Sequence, residues 1–224
     1  MIDVIYLCAG VGKRANLGYP KQFLSLHGKP LLIHGLETLR RIKEIGEIII
    51  PCPEEDRQKI LRTCFNYNID HVVTCQGGDT RQDSTYLGLS EVVTDEVLIC
   101  EAVRPFMSLN LIKKVLDCEN EFVTPITQMY ASVIDCCGNS FDRNTIGPVQ
   151  MPQKYNTQLL NHGHVKARVN EKFDYTDDAA LIINELGLIP KIVKGEDVNI
   201  KITTPLDVYI AEAIYKYIQG EKQE

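Results

Sequence analysis

Apolar, β-branched runs alternate along the chain with segments of helical spacing. Asp3–Cys8, Glu47–Pro51, Asp70–Thr74 and Val97–Cys100 read as strands, and the pattern predicts helices between them at about Pro30–Lys43, Glu54–Asn66 and Thr80–Val93. Strands separated by helices of this length build βαβ units. The predicted class is therefore α/β, with a mostly parallel central sheet and helices on both faces.

Ser108 reads as the cap of a further helix, about Leu109–Asp117. From Glu121 to Gln153 the rhythm breaks. Two strand-like runs, Glu121–Ile126 and Tyr130–Cys136, lead into a turn at Cys137-Gly138-Asn139. This region, about 126–152, is either a β-arm leaving the body or an edge hairpin. After Asp174 the α/β pattern returns, with a helix to about Leu186 and strands near Pro190–Lys194 and Val198–Ile202. The last helix opens with Thr204 as cap, Pro205 in the first turn and Asp207 three residues after the cap. No repeat or linker interrupts residues 1–224, so one domain is expected.

Composition narrows the function. The net charge of −6 excludes a general nucleic-acid-binding surface and makes any local basic cluster more informative. No apolar run approaches the ~20 residues of a membrane span, and Met1–Val4 does not resemble a signal peptide. The eight cysteines show no CxxC spacing, and Cys136 and Cys137 are adjacent. They read as reduced thiols of a cytoplasmic protein.

The first strand runs into a glycine-bearing loop, AGVGKRANLGYPKQF. A P-loop would need a glycine at Leu7 and a hydroxyl residue at Arg14, so that reading fails. Gly10-Val11-Gly12-Lys13-Arg14-Ala15 literally fits the dinucleotide fingerprint, which would make the protein an oxidoreductase. That fingerprint needs a helix to open in the loop, whereas Gly18 and Pro20 interrupt the following turns. It also wants an acid about 20 residues on, and no Asp or Glu lies between Val4 and Leu36. Lys13, Arg14, Lys21 and Lys29 occupy that acid-free window. A backbone that admits close approach, plus unopposed cations, suits an extended polyphosphate cradle.

LCAGVGKR (7–14) followed by PKQF (20–23) resembles the opening signature of the cytidylyltransferases of the methylerythritol-phosphate and ribitol-phosphate type. GGDTRQDS (77–84), EAVRPF (101–106), Met151-Pro152-Gln153, Thr176-Asp177-Asp178-Ala179 and NIKIT (199–203) resemble later segments of that family, in order. The resemblance implies a Rossmann-like nucleotidyltransferase fold with a protruding β-arm, usually dimeric. It implies transfer of CMP from CTP to a polyol phosphate, with Mg²⁺ as cofactor and release of pyrophosphate.

Such a transfer needs orientation and neutralisation of charge on phosphate oxygens more than it needs a strong base. By resemblance the catalytic cations are Arg14, Lys21 and Lys201. Ala9, Gly10, Gly12, Gly78, Asp79, Arg81, Ser84 and Ala102 are the expected nucleotide contacts. Two glycines at a strand end let the backbone meet a flat base, while Asp79 alone also reads as a plain helix cap. Glu101 stands where the family usually has aspartate in a His-Asp pair, and is the expected Mg²⁺ ligand. Arg104, Arg143, Lys201 and Asp177 are the expected acceptor contacts. Their structural alternatives are an Arg–carboxylate pair for Arg104 and, for Asp177, a first-turn acid in a helix capped by Thr176. Val103 before Arg104 is more like the ribitol-phosphate branch, and Gln128-Met129 stands where both branches usually carry Asp-Thr. The five histidines receive no role.

Overall fold

The structure is a computed structural model that describes residues 1–8 and 20–220. The strands are β1 (Ile2–Leu7), β2 (Ser25–Leu26), β3 (Lys29–Pro30), β4 (Ile45–Cys52), β5 (Val72–Gln76), β6 (Glu96–Glu101), β7 (Phe122–Ile126), β8 (Val133–Ile134), β9 (Ser140–Phe141), β10 (Gln153–Asn156) and β11 (Lys191–Lys194). The helices are α1 (Leu31–Arg40), α2 (Glu54–Asn66), α3 (Arg81–Leu89), α4 (Leu109–Leu116), α5 (Thr157–Val169), α6 (Asp178–Leu186) and α7 (Pro205–Gln219), with a 3₁₀ turn at Lys21–Phe23. Seven strands form the main sheet in the order β11-β7-β10-β6-β1-β4-β5. Only β10 runs antiparallel to its neighbours β6 and β7.

All six residues of β1 are buried. Successive side chains of a strand point to opposite faces, so both faces of the sheet are covered. Two adjacent residues show by what. The Tyr6 hydroxyl donates to Leu32 O of α1 at 2.9 Å. Ile5, pointing the other way, packs against Gly88 of α3, where an added Cβ would stand 3.1 Å from its Cγ2. The predicted α/β architecture holds.

Element boundaries shift by a few residues, and four readings need correction. β10 and α5 were not legible as elements. β10 reads Gln-Lys-Tyr-Asn and is polar in the middle of a sheet. It survives there because Lys154 Nζ meets Cys118 O at 2.6 Å and Glu96 Oε1 at 2.9 Å. Hydrophobic periodicity does not reveal such a strand. Gly163 and two histidines dilute the helical signal of α5, yet Asn156 caps it, accepting from Leu159 N at 3.0 Å. The expected strand Val198–Ile202 is absent; its backbone forms turns, with Asn199 N donating to Glu196 O and Ile200 N to Val198 O. The strand expected over Tyr130–Cys136 contracts to β8, which pairs with β9 across the predicted turn. No residue from 126 through 149 is buried, whereas Gln150, Met151 and Pro152, the last three residues of the expected arm, are buried in the body.

A second, smaller apolar cluster matters for the site. Leu24, Leu26, Leu31, Phe106, Ile202 and Ala211 pack together. This ties the segment after Lys21 to the residue next to Lys201.

Candidate active site

β1 and β6 are parallel neighbours in a register that sets Leu7 beside Glu101. Ligands of α/β sheets bind beyond the carboxyl ends of the strands. A cavity of about 650 Å³ opens there, lined by Leu7, Cys8, Glu101 and Ala102 from the strand ends. Lys21 and Gln22 close one side, Asp79–Gln82 and Ser84 a second, Phe173–Thr176 a third and Lys201–Thr203 a fourth. Segments far apart in the chain thus converge on one hollow.

Its electrostatic centre is Glu101, nearly buried at the end of β6. Oε1 accepts from Arg81 Nε at 3.1 Å and from Lys201 Nζ at 2.9 Å. Oε2 faces Arg104 Nε at 3.3 Å. Burial pushes this carboxyl up, but Arg81, Lys201 and Arg104 together outweigh it and hold it at about 2. Asp178, in the first turn of α6, completes the arrangement, with Oδ2 2.8 Å from Arg81 Nη1. Burial raises Asp178 too, yet Arg81 and the hydrogen bond from His164 bring it to about 2. Arg81 therefore bridges two buried carboxylates. It lines the cavity, and its Nη2 meets no hydrogen-bond partner among the described residues.

The expectation that Glu101 binds Mg²⁺ is corrected. Both oxygens already meet cations, and a dication brought there would join a local surplus of positive charge. Glu101 does not fit the part of a metal ligand. Among the described residues there is no group of three or more His, Cys, Asp or Glu side chains that could hold a metal ion.

The nucleotide-side residues divide. Ser84 is fully buried; its hydroxyl donates to Thr80 O at 2.9 Å and accepts from Gly78 N at 3.1 Å. It folds the glycine loop back onto α3. A Cβ on Gly78 would run into Asp83 Cβ, with the Asp83 carbonyl carbon 2.8 Å away, so this loop can close on α3 only with glycine. Thr80, not Asp79, caps α3, accepting from Asp83 N at 3.0 Å. Asp79 is left exposed on the cavity wall. Ala102 lies at the cavity floor, its N–H donating to Leu7 O at 3.1 Å. Ala9, Gly10, Gly12 and Arg14 lie outside the described residues.

The acceptor-side expectations fare unevenly. Lys201 reaches the cavity from a turn segment and is partly exposed. Arg104 is buried and points elsewhere: Nη1 donates to Asn199 O at 2.9 Å and Nη2 approaches Val149 O at 3.4 Å. It stands in the structural pairing with Glu101 and does not line the cavity. Asp177 caps α6, accepting from Ala180 N at 2.7 Å, a place the sequence reading gave to Thr176. Arg143 lies on the arm, its Nη1 donating to Tyr130 O at 2.9 Å, away from the hollow of its own chain. Lys21 is nearly buried and its ammonium contacts Thr203 O, closing the wall between the 3₁₀ turn and the Lys201 segment.

The sequence reading missed Phe173, Asp174 and Tyr175, because it missed the helix that delivers them. Gln82 of α3 holds this stretch in place, donating to Lys172 O at 2.8 Å and accepting from Tyr175 N at 3.0 Å. The Asn156 cap and the apolar spacing of Leu160, Gly163 and Ala167 were the available signals.

Residues 2–217 match the family profile described as IspD, 2-C-methyl-D-erythritol 4-phosphate cytidylyltransferase. The chain belongs to this family. It is accordingly a cytidylyltransferase, an enzyme of the CTP-dependent nucleotidyltransferase class. It is 31% identical over 220 residues to the 2-C-methyl-D-erythritol 4-phosphate cytidylyltransferase of Geobacillus kaustophilus, with 95% of this chain and 96% of that one covered. The chloroplastic protein of that name from Oryza sativa is 32% identical, with 95% of this chain and 74% of that one covered. Among solved structures, 4-diphosphocytidyl-2C-methyl-D-erythritol synthase from Anaerococcus prevotii superposes with a TM-score of 0.83 at 30% identity, covering 98% of this chain and 96% of that one. The Thermus thermophilus 2-C-methyl-D-erythritol 4-phosphate cytidylyltransferase gives 0.77 at 27% identity, covering 96% and 98%. No described helix is long and apolar enough to cross a membrane.

Proposed function

We propose that this IspD-family enzyme transfers CMP from CTP to 2-C-methyl-D-erythritol 4-phosphate, releasing pyrophosphate. The observation that carries the reading is the convergence of Lys21, Arg81 and Lys201 on one cavity beyond β1 and β6. The relatives that match nearly the whole chain carry the methylerythritol name, which outweighs the single ribitol-like cue at Val103.

An oxygen of the acceptor phosphate attacks the α-phosphorus of CTP. The new P–O bond forms as the bond from that phosphorus to the bridging oxygen breaks, and pyrophosphate carries away the electron pair. The attacking oxygen is already anionic, so no residue need remove a proton. Lys21 and Arg14 neutralise the triphosphate, and Lys201 steadies the transferred and accepting phosphates. Arg81 places its charge on the cavity wall while Glu101 and Asp178 fix its plane. Transferases of this kind generally use a divalent cation, and Mg²⁺ belongs in the assay with no protein ligand assigned to it.

Arg143 lies on an arm whose Tyr130, Ile134 and Phe141 are exposed apolar surface. This supports a homodimer in which the arm of one copy reaches the acceptor end of the other. The substrates are soluble phosphates and all eight cysteines are unpaired, which suits a reducing cytoplasm.

Pyrophosphate release with CTP, Mg²⁺ and a panel of 2-C-methyl-D-erythritol 4-phosphate, ribitol 5-phosphate and glycerol 3-phosphate tests the reading. Turnover is expected with the first. Preference for either of the others overturns the acceptor assignment, and activity with UTP or ATP in place of CTP overturns the base assignment.

A further inference from the structure

His164 is fully buried on α5 and does not line the cavity. Its Nε2 lies 3.1 Å from Asp178 Oδ1. Its Nδ1 is buried with no hydrogen-bond partner among the described residues, so Nε2 carries the proton that has an acceptor. Asp178 passes the contact on, with its other oxygen 2.8 Å from Arg81 Nη1, and Arg81 Nε reaches Glu101 Oε1 at 3.1 Å. A continuous line of polar contacts thus runs from a core histidine to the cation on the cavity wall.

Packing holds the histidine at that point. α5 and α6 approach so closely at Gly163 that a Cβ there would meet Ile182 Cδ1 and come within 2.9 Å of Leu181 Cδ2. The Tyr86 ring of α3 lies against the imidazole, centroids 6.0 Å apart, and Arg168 covers the other part of that ring at 4.1 Å. A leucine or phenylalanine would fill such a place at less desolvation cost than an imidazole with one nitrogen unpaired. Among the described residues the imidazole's one hydrogen bond is to Asp178, and Asp178 is nearly inaccessible to any ligand.

We propose that His164 is a positioning residue for nucleotide binding: it fixes the Asp178 carboxylate in the orientation that presents Arg81 to the cavity. This rests on the assignment of Arg81 to the nucleotide in the proposed function. Removing the Nε2–H donor leaves Asp178 held through Oδ2, by Arg81 Nη1 at 2.8 Å and Thr85 Oγ1 at 3.5 Å, and the guanidinium shifts as the carboxylate turns about that oxygen.

The test uses the full-length protein and two readouts, CTP affinity by calorimetry and steady-state turnover. H164F is expected to keep the wild-type circular dichroism spectrum and to lose on the order of 10-fold to 100-fold in kcat/KM for CTP, with CTP affinity weakened in parallel. H164Q, whose amide N–H can stand where Nε2–H stood, is expected to recover most of the loss, and the shorter H164N is not. Adding H164F to R81M is expected to cost nothing beyond R81M alone, because the two act as one unit. Wild-type CTP affinity in H164F, equal impairment in H164F and H164Q, or multiplying losses in the double variant would each overturn the proposal. Should H164F not fold, the contrast between H164Q and H164N decides it in the same two directions. CTP affinity needs no acceptor, so wild-type protein that binds CTP but does not turn over the acceptor overturns the acceptor reading alone. An R81M variant with wild-type CTP affinity overturns the Arg81 assignment and this proposal with it.

Discussion

Arg81 and Lys201 meet on one oxygen, with Nε of the first 3.1 Å and Nζ of the second 2.9 Å from Glu101 Oε1. One arrives from a helix that follows a glycine loop, the other from a turn near the end of the chain. Their charges would repel one another without the carboxylate between them. Glu101 therefore organises the cations of the site, and this has consequences that differ from those of a metal ligand.

Glu101→Gln leaves Arg81, Arg104 and Lys201 without their common anion. Breaking a buried ion pair by removing one partner costs about 3–5 kcal/mol, so the melting temperature is expected to fall clearly. Turnover is expected to fall with it, while the Mg²⁺ concentration giving half-maximal rate stays where it is in the wild type. A large rise in that Mg²⁺ concentration would restore Glu101 to the role of metal ligand.

Acid stability follows from the same cluster. Glu101 is held at about 2 against an ordinary 4.5, and Asp178 at about 2 against 3.8. Both bind protons less readily folded than unfolded, so their contribution is complete above the unfolded values and is lost as pH falls toward the folded ones. Thermal melts are expected to show a steep loss of stability between about pH 4.5 and 2, and a shallower one in E101Q. Parallel curves for the two proteins would contradict the assignment.

Lys201→Met and Lys21→Met each remove a charge that faces phosphate in the proposed reaction. Each is expected to lower kcat on the order of 10²-fold, as for a lost charge-stabilising donor. Lys201 is partly exposed and Lys21 nearly buried, so only K21M is expected to lower the melting temperature noticeably. Stopped assays of pyrophosphate release and thermal melts read the two effects. Turnover near wild type in both variants would sink the mechanism.

Gly78→Ala drives a methyl group into Asp83 at the start of α3. Overpacking of this kind costs about 1–3 kcal/mol, and here the strain falls on the helix that carries Arg81. KM for CTP is expected to rise more than KM for the acceptor. An equal rise in both would mean that the loop does not serve the nucleotide.

Arg143→Ala is expected to leave thermal stability unchanged, since the side chain is exposed and its one side-chain hydrogen bond among the described residues is to Tyr130 O. Its kinetic effect should fall on KM for the acceptor phosphate alone. Kinetics with each substrate varied in turn make the comparison, and a shift confined to CTP would move Arg143 to the other half of the reaction.

The sequence by itself determined the βαβ rhythm, because strands such as β1 and β4 are apolar on both faces and their helices carry an amphipathic period. It also determined which segments carry cations and carboxylates in an order shared with a known family. It could not show β10, whose polar residues are buried by partners from β6 and from the end of α4, nor α5, whose glycine exists for contact with α6. Those two elements deliver Phe173–Thr176 to the cavity and His164 to Asp178. The role of Glu101 was also a tertiary decision. A carboxylate at a strand end can hold a metal ion or gather cations, and the choice depends on which charges the fold brings within about 3 Å. Here Arg81, Arg104 and Lys201 all come within 3.3 Å of the nearly buried Glu101 carboxylate.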